Sequence, residues 1–256
     1  MCTVSFVARK SGYLLAMNRD EKRSRASGLP PARVSLNGRA AIFPSEPGGG
    51  TWISLNDTKT TFALINWYSV KAVVKINAIS RGIVVKSVAS ENSPAGAYRI
   101  LNGLPLKQIS PFRLIGIFEA QREICEWRWD LKTLSCESLP WNSQQWISSG
   151  YDEPEAQRAR SKTFQVALRR KTAGSLGWLR RLHRSHAPFC GPFSICMHRA
   201  DAVTVSYTEV NVSNCRATMS YCNQTPCRHS PGRRAAPVLS KNLIPLIQRS
   251  PDIVIP

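Results

Sequence analysis

The sequence predicts an α+β fold of two antiparallel β-sheets with helices packed outside them. Three observations carry this reading. Strand-like runs come first, helical periodicity follows, and strand-like runs return near residue 200, an order that yields two sheets with helices on their outer faces. Polar, glycine-containing turns separate neighbouring strands, as antiparallel hairpins require. At 256 residues, 43% hydrophobic and 20% charged, the chain is long enough and apolar enough to bury one full core.

Residues 2–7 and 13–17 read as strands joined by the turn Arg9-Lys10-Ser11-Gly12. Antiparallel pairing then brings Cys2 to the far end of the second strand, where Asn18-Arg19-Asp20-Glu21 begins as a charged turn. Residues 40–43 and 51–55 bracket Pro44-Ser45-Glu46-Pro47-Gly48-Gly49-Gly50, whose glycines permit positive φ and close backbone approach. No helix-forming run and no phosphate-loop lysine follows them, which excludes a nucleotide loop. A strand over 60–65 delivers Asn66 at its end. Apolar residues at three- and four-residue spacing predict helices over 79–89 and 94–101. Residues 113–118 and 125–129 form a second antiparallel pair, residues 155–168 and 176–183 are helical, and 194–197 and 203–210 return to strands. The last of these alternates apolar and polar residues, as a half-buried strand does. From Pro226 the chain turns to Arg228-His229-Ser230-Pro231-Gly232-Arg233-Arg234. The expected organisation is one domain over 1–226 and a loosely attached basic tail over 227–256.

The chemistry starts at Met1-Cys2. A small second residue lets aminopeptidase remove Met1, leaving a cysteine that carries both a thiol and a free α-amine. An α-amine titrates near about 7.7–8.0, so a useful fraction is neutral at pH 7 and can accept the thiol proton. Asp20 is the candidate acceptor that holds this amine, and Asn18 and Arg19 are candidates to meet developing negative charge. Proximity to Arg19 and the amine is expected to lower the Cys2 thiol below the ~8.5 of free cysteine.

Met1-Cys2, Asn18-Arg19-Asp20-Glu21, Gly49-Gly50-Thr51-Trp52, Ala63-Leu64-Ile65-Asn66 and Ser80-Arg81-Gly82 occur in the order seen in NRDE-motif proteins, the family of transport and Golgi organization protein 2 homologues. Ser148-Ser149-Gly150-Tyr151-Asp152 and the run from Gly191 to Arg199 resemble its bacterial branch, so the likeness extends to about Pro226. More distantly, the start is similar to the choloylglycine hydrolase and penicillin acylase group of N-terminal nucleophile hydrolases. The resemblance implies a four-layer αββα sandwich with Cys2 as nucleophile, Asp20 orienting its amine and Asn66 donating to the oxyanion. The sequence departs from those hydrolases twice. Met17 stands where they carry an arginine, and no asparagine occurs near Ser148-Ser149-Gly150.

Two functions follow: a cysteine hydrolase of linear amide (C–N) bonds, or a non-enzymatic carrier that uses the same pocket for haem, acyl-CoA or lipid, since the family is associated with haem trafficking and with acyl-CoA and lipid metabolism. Either takes an anionic hydrophobic small molecule. Trp52, His198 and Arg199 are candidate ligand contacts, with Arg199 placed to pair a propionate or phosphate. Cys2, Met17, His183, His186 and His198 are the candidate axial ligands for haem, and no cofactor is required by the hydrolase reading.

Thirty-five Lys and Arg against 16 Asp and Glu give a formal charge of +19, which favours anionic partners. The basic runs at Arg158-Ala159-Arg160-Ser161-Lys162, Arg169-Arg170-Lys171 and Arg180-Arg181-Leu182-His183-Arg184 lack interleaved aromatics and match no helix-turn-helix or finger, so specific nucleic-acid binding is not expected. They read as solvated helix faces. No apolar run approaches the ~18 residues of a membrane span, and no basic leader precedes the first strand. The expected location is therefore cytoplasmic, with the eight cysteines reduced. Cys222, Cys227 and His229, with Cys215 upstream, fit no standard zinc spacing, and no metal site is expected.

Overall fold

The computed structural model describes residues 2–71 and 77–228, together with the backbone of 238–239. Two antiparallel sheets stack face to face. Sheet A runs in the order β10-β1-β2-β11-β12-β13, built from Gln144–Ser148 (β10), Cys2–Ala8 (β1), Tyr13–Lys22 (β2), Ala202–Val212 (β11), Ala217–Cys222 (β12) and Val238–Leu239 (β13). Sheet B is a seven-stranded meander in chain order: Leu29–Leu36 (β3), Arg39–Ser45 (β4), Ile53–Asn56 (β5), Thr61–Asn66 (β6), Phe112–Phe118 (β7), Glu123–Trp129 (β8) and Leu134–Leu139 (β9). Helices α1 (Gly82–Val88) and α2 (Pro94–Gly103) cover sheet B, and α3 (Glu153–Leu168) and α4 (Leu176–His183) cover sheet A.

Strand alternation explains the layering, because successive side chains point to opposite faces. Val4, Phe6, Tyr13, Leu15 and Met17 meet Ile53, Leu55, Ala63 and Ile65 between the sheets. The alternate residues Val7, Leu14 and Ala16 meet Phe164, Trp178 and Leu182 beneath α3 and α4. On the other side, Phe62, Leu64, Leu114 and Trp127 meet Val84, Val85, Val88 and Leu101 of α1 and α2. Three apolar seams between four layers give the αββα sandwich expected from the resemblance. No helix among the described residues is long and apolar enough to cross a membrane.

Several elements differ from the sequence reading. Asn18-Arg19-Asp20-Glu21 is not a turn: β2 runs on through Lys22, paired on one side with β1 and on the other with β11. Residues 194–197 form no strand; only His198 makes an isolated bridge, to Val203, and the rest is a buried loop held by Ser194 bonds to Gly191 and Cys196 carbonyls. The helix expected over 79–89 shortens to Gly82–Val88, because Ile79 is taken up in a bridge to Ile109. At the tail, Pro226–Arg228 makes a 3-10 turn and β13 pairs with β12, while the remainder of 229–256 lies outside the described residues.

Candidate active site

Cys2 opens β1 and is 7% exposed, with its side chain at the seam between the sheets. Its register partners are Arg19 on β2 and Ser148 on β10, and its backbone nitrogen donates to Ser148 Oγ at 3.1 Å. Beside it lies a cavity of about 380 Å³, lined among others by Cys2, Arg19, Asp20, Trp52, Asn66 and Arg81. Five of the eight sequence-predicted site residues therefore meet at one opening.

Two glycine motifs shape that opening. A Cβ on Gly82 would lie 2.7 Å from Gly50 Cα and 2.9 Å from Thr51 N, so the two segments cross backbone to backbone, and Thr51 N donates to Gly82 O at 3.1 Å. Gly49 takes φ +81 in the turn just before the crossing. The crossing seats Trp52 on one wall and Arg81 on another. Arg81 was quoted only as part of a motif by the sequence, yet it lines the cavity. Its Nη1 donates to Pro111 O at 3.2 Å, and among the described residues no carboxylate pairs with it.

Arg19 occupies the space that Met17 does not. Met17 is buried in the core opposite Val4, whereas Arg19 faces the cavity with its guanidinium 4.6 Å from the Trp52 ring centroid. Glu46 Oε1 lies 2.6 Å and Glu21 Oε2 3.4 Å from Arg19 Nη2, so this cation is largely committed to carboxylates. Asn66, at the end of β6, donates from Nδ2 to the Tyr68 hydroxyl at 2.7 Å, leaving its second N–H for another acceptor.

The thiol is not activated as the sequence reading expected. Burial pushes the Cys2 pKa up, and the positive chain terminus and Arg19 only partly oppose it, while Asp20 and Glu21 push in the same direction as burial. A resident thiolate is therefore disfavoured, and attack by this sulfur needs a base that accepts its proton during the step.

Asp20 is fully buried and accepts from Thr204 Oγ1 at 2.6 Å and from Arg160 Nη1 at 3.0 Å. Arg160 corrects the picture of a solvated basic helix face. It is 0% exposed, and its Nη1 also donates to Thr3 Oγ1 at 2.8 Å and its Nη2 to Pro192 O at 3.1 Å. Nothing in the run Arg158-Ala159-Arg160-Ser161-Lys162 marks the middle arginine as different; only the inward position on α3, beside Ala156 and Phe164, does so. Because removing one partner leaves a buried charge uncompensated, Arg160→Met is expected to cost about 3–5 kcal/mol of unfolding free energy. Urea denaturation at neutral pH measures this, and a loss under about 1 kcal/mol would show that Asp20 does not depend on the pair.

The other three predicted residues lie elsewhere. Asn18 points to the helix side of sheet A, where Nδ2 donates to His183 O at 2.9 Å and Ile195 O at 2.8 Å. His198 Nε2 lies 3.2 Å from His186 Nε2, in a loop outside the cavity lining. Arg199 sits 4.6 Å over the Tyr151 ring and pairs with Asp201 at 2.8 Å, also outside that lining. A larger cavity of about 510 Å³ lies between α3 and α4, with Arg158, Lys162, Trp178 and Arg181 in its walls, but no cysteine or histidine lines it.

The architecture is shared with solved hydrolases. Penicillin V acylase from Agrobacterium tumefaciens superposes with a TM-score of 0.54 at 10% identity, covering 94% of this chain and 86% of that one. A mutant of the conjugated bile acid hydrolase from Clostridium perfringens gives a TM-score of 0.50 at 9% identity, covering 94% and 92%. At such identities the likeness establishes the fold alone. No curated protein sequence matches the chain. The family model described as Transport and Golgi organisation 2 matches residues 1–135, which holds Cys2, Asn18-Arg19-Asp20-Glu21, Trp52, Asn66 and Arg81, and the chain belongs to that family.

Proposed function

We propose that the chain is an N-terminal-cysteine hydrolase of linear amide bonds in small hydrophobic N-acyl substrates that bear an anionic group. One observation carries the reading: a cysteine one residue from the chain start opens into the same cavity as Asp20, Asn66 and three arginines, Arg19, Arg25 and Arg81. Removal of Met1 converts the Cys2 nitrogen into a free amine that has Ser148 Oγ as its hydrogen-bond partner and lines the same cavity as Asp20. The amine takes the thiol proton as Sγ attacks the substrate carbonyl, and the tetrahedral oxyanion accepts from Asn66 Nδ2 and a backbone N–H. Collapse breaks the C–N bond, and the departing nitrogen leaves as an amine with the proton the α-amine gives back. Water then attacks the thioester, with the α-amine again accepting a proton, and releases a carboxylic acid and the free thiol. Ser148 supplies an acceptor for that amine at the end of β10.

Arg81 supports the choice of an anionic substrate. Burial pulls its pKa down, and Tyr68 and Cys2 hold it up, so the cation is partly desolvated and gains most from an incoming carboxylate or phosphate. Arg81→Met is expected to raise KM for an anionic N-acyl amide about tenfold, roughly 1.4 kcal/mol, and to leave a neutral analogue within about twofold. Equal effects on both substrates would remove Arg81 from recognition.

The deciding experiment is a panel of N-acyl amides with intact-mass analysis of the enzyme. The expected results are a polypeptide lacking Met1, turnover of at least one panel member, and an acyl thioester on Cys2 when the reaction is quenched early. Retained Met1 in the active pool would sink the amine as base. Absence of turnover and adduct, together with a haem Soret shift that survives Cys2→Ala, would replace the hydrolase by the carrier reading. Of the five candidate axial ligands, Cys2 alone lines this cavity.

A further inference from the structure

Behind Asp20, outside the cavity, four metal-ligating side chains converge from three separate segments. His186 follows α4, Cys196 and His198 lie in the loop before β11, and Cys227 sits in the 3-10 turn after β12. Their nearest ligand atoms all lie within 4.8 Å of one another. Two of the chain's four histidines and two of its eight cysteines thus meet at one point.

The three distances from His198 Nε2 match edges of a zinc tetrahedron. For zinc bonds of about 2.3 Å to sulfur and 2.0–2.1 Å to nitrogen, tetrahedral angles place two ligand nitrogens about 3.3 Å apart and a nitrogen and a sulfur about 3.6 Å apart. His186 Nε2 and His198 Nε2 are separated by 3.2 Å, His198 Nε2 and Cys227 Sγ by 3.5 Å, and His198 Nε2 and Cys196 Sγ by 3.7 Å. Hydrogen bonding does not account for this. One imidazole nitrogen either donates once or accepts once, yet three polar atoms crowd His198 Nε2. A cation at their common centre would bond to all four.

We propose that His186, Cys196, His198 and Cys227 form a structural zinc site. Two thiolates and two imidazoles are the borderline-soft, tetrahedral donor set that zinc takes, and the two thiolates neutralise its charge. Four protein ligands leave no open position, so the ion staples rather than catalyses. Among the bonds between the segments it joins is Cys196 N to Ser185 O at 3.0 Å. The clamp also reaches the proposed active site. Met197, between two of the ligands, donates from its backbone N to Thr204 Oγ1 at 2.9 Å, and that hydroxyl donates to Asp20 Oδ1 at 2.6 Å. The zinc site stands independently of the amidase reading, because its evidence is the four ligands alone. It differs from the sequence-based expectation of no metal because its ligands are spaced His-x9-Cys-x-His-x28-Cys, which matches no linear module. Of the cluster considered from the sequence, Cys227 joins this site, Cys222 packs in the core with Phe164 and Trp178, and His229 lies outside the described residues.

Elemental mass spectrometry of the full chain, purified under reducing conditions from zinc-supplemented cells, tests the proposal. The expected content is about one zinc per chain, falling below roughly 0.1 in the Cys196→Ser/Cys227→Ser double variant and unchanged in Cys215→Ser. Cobalt(II) exchanged into the wild-type protein should give the intense visible bands of a tetrahedral ion with thiolate-to-metal charge transfer, and this readout stands even if the double variant fails to fold. Metal-free wild-type protein whose cobalt titration shows no thiolate charge transfer would overturn the site, as would a folded double variant that keeps its zinc.

Discussion

Cys2→Ala is expected to lower turnover of any N-acyl amide substrate by about 10³-fold or more, equivalent to at least about 4 kcal/mol of transition-state stabilisation. The substitution removes the covalent route, and the remaining groups offer only binding, oxyanion stabilisation and the α-amine as a base for direct attack by water. Stability should change little, since only one sulfur is lost from the seam between the sheets, on the side that borders the cavity. A thermal melt within a few degrees of wild type, run beside the kinetics, separates the two effects. Asn66→Ala should cost about 10²–10³-fold in kcat with the acyl-enzyme still detectable, because it removes one oxyanion donor and leaves the nucleophile. Wild-type-like kinetics in Cys2→Ala would end the nucleophile assignment whatever the fold.

The interior of the fold was legible in the sequence and its rims were not. The strands that escaped are mostly edges: β3 and β9 close the two sides of sheet B, and β10 closes one side of sheet A. An edge strand is half-solvated, so it tolerates Pro30-Pro31 in β3 and the exposed Ser135-Cys136-Glu137-Ser138 of β9, and the alternation that marks a strand fades. β2 misled in the opposite sense. It is central, and Tyr13 through Asp20 are all buried, so its charged end reads as a turn although Arg19 and Asp20 are kept inside by Glu46 and Arg160. The loop at 194–197 shows that an apolar run marks burial before it marks strand: Ser194, Ile195, Cys196 and Met197 are buried without a ladder partner.

The site was legible where its residues are close in sequence or at a strand end, as Cys2, Arg19, Asp20 and Asn66 are. It was illegible where a long-range partner decides the role. Arg160 lies 140 positions from Asp20, and Ser148 lies 146 from Cys2, and each looks ordinary in its own neighbourhood. The direction of the Cys2 pKa also depends on burial, which a list of nearby charges does not contain. Asn18 belongs to the same motif as Arg19 and Asp20 but faces the opposite side of the sheet, where it serves the fold through His183.

That contact leads to an acid-sensitivity of the fold. Asn18 Nδ2 faces two carbonyls, so its Oδ1 must be the atom toward His183 Nδ1 at 3.0 Å, and Nδ1 carries the proton. His183 Nε2 then accepts from Ser5 Oγ at 2.9 Å, while Ser5 Oγ accepts from Gln145 Nε2 at 3.1 Å. The network is complete with a neutral ring. Burial, with Arg160 adding to it, pulls the His183 pKa from 6.5 down to about 3. Between those values the unfolded chain binds a proton that the native state does not, so stability falls as pH drops through 6.5 and is fully present only above it. The expected loss is about 2 kcal/mol between pH 7.5 and 5 and about 4 kcal/mol by pH 3 from this one residue. Other groups titrate too, so the measurement is a difference: urea unfolding of wild type and His183→Gln across pH 7.5 to 5. Glutamine starts from lower stability because its shape breaks the Asn18 contact, but it cannot be protonated, and the gap between the two proteins should narrow by about 2 kcal/mol over that range. Parallel profiles would show that His183 titrates alike in both states, and the neutral, doubly satisfied ring would have to be abandoned.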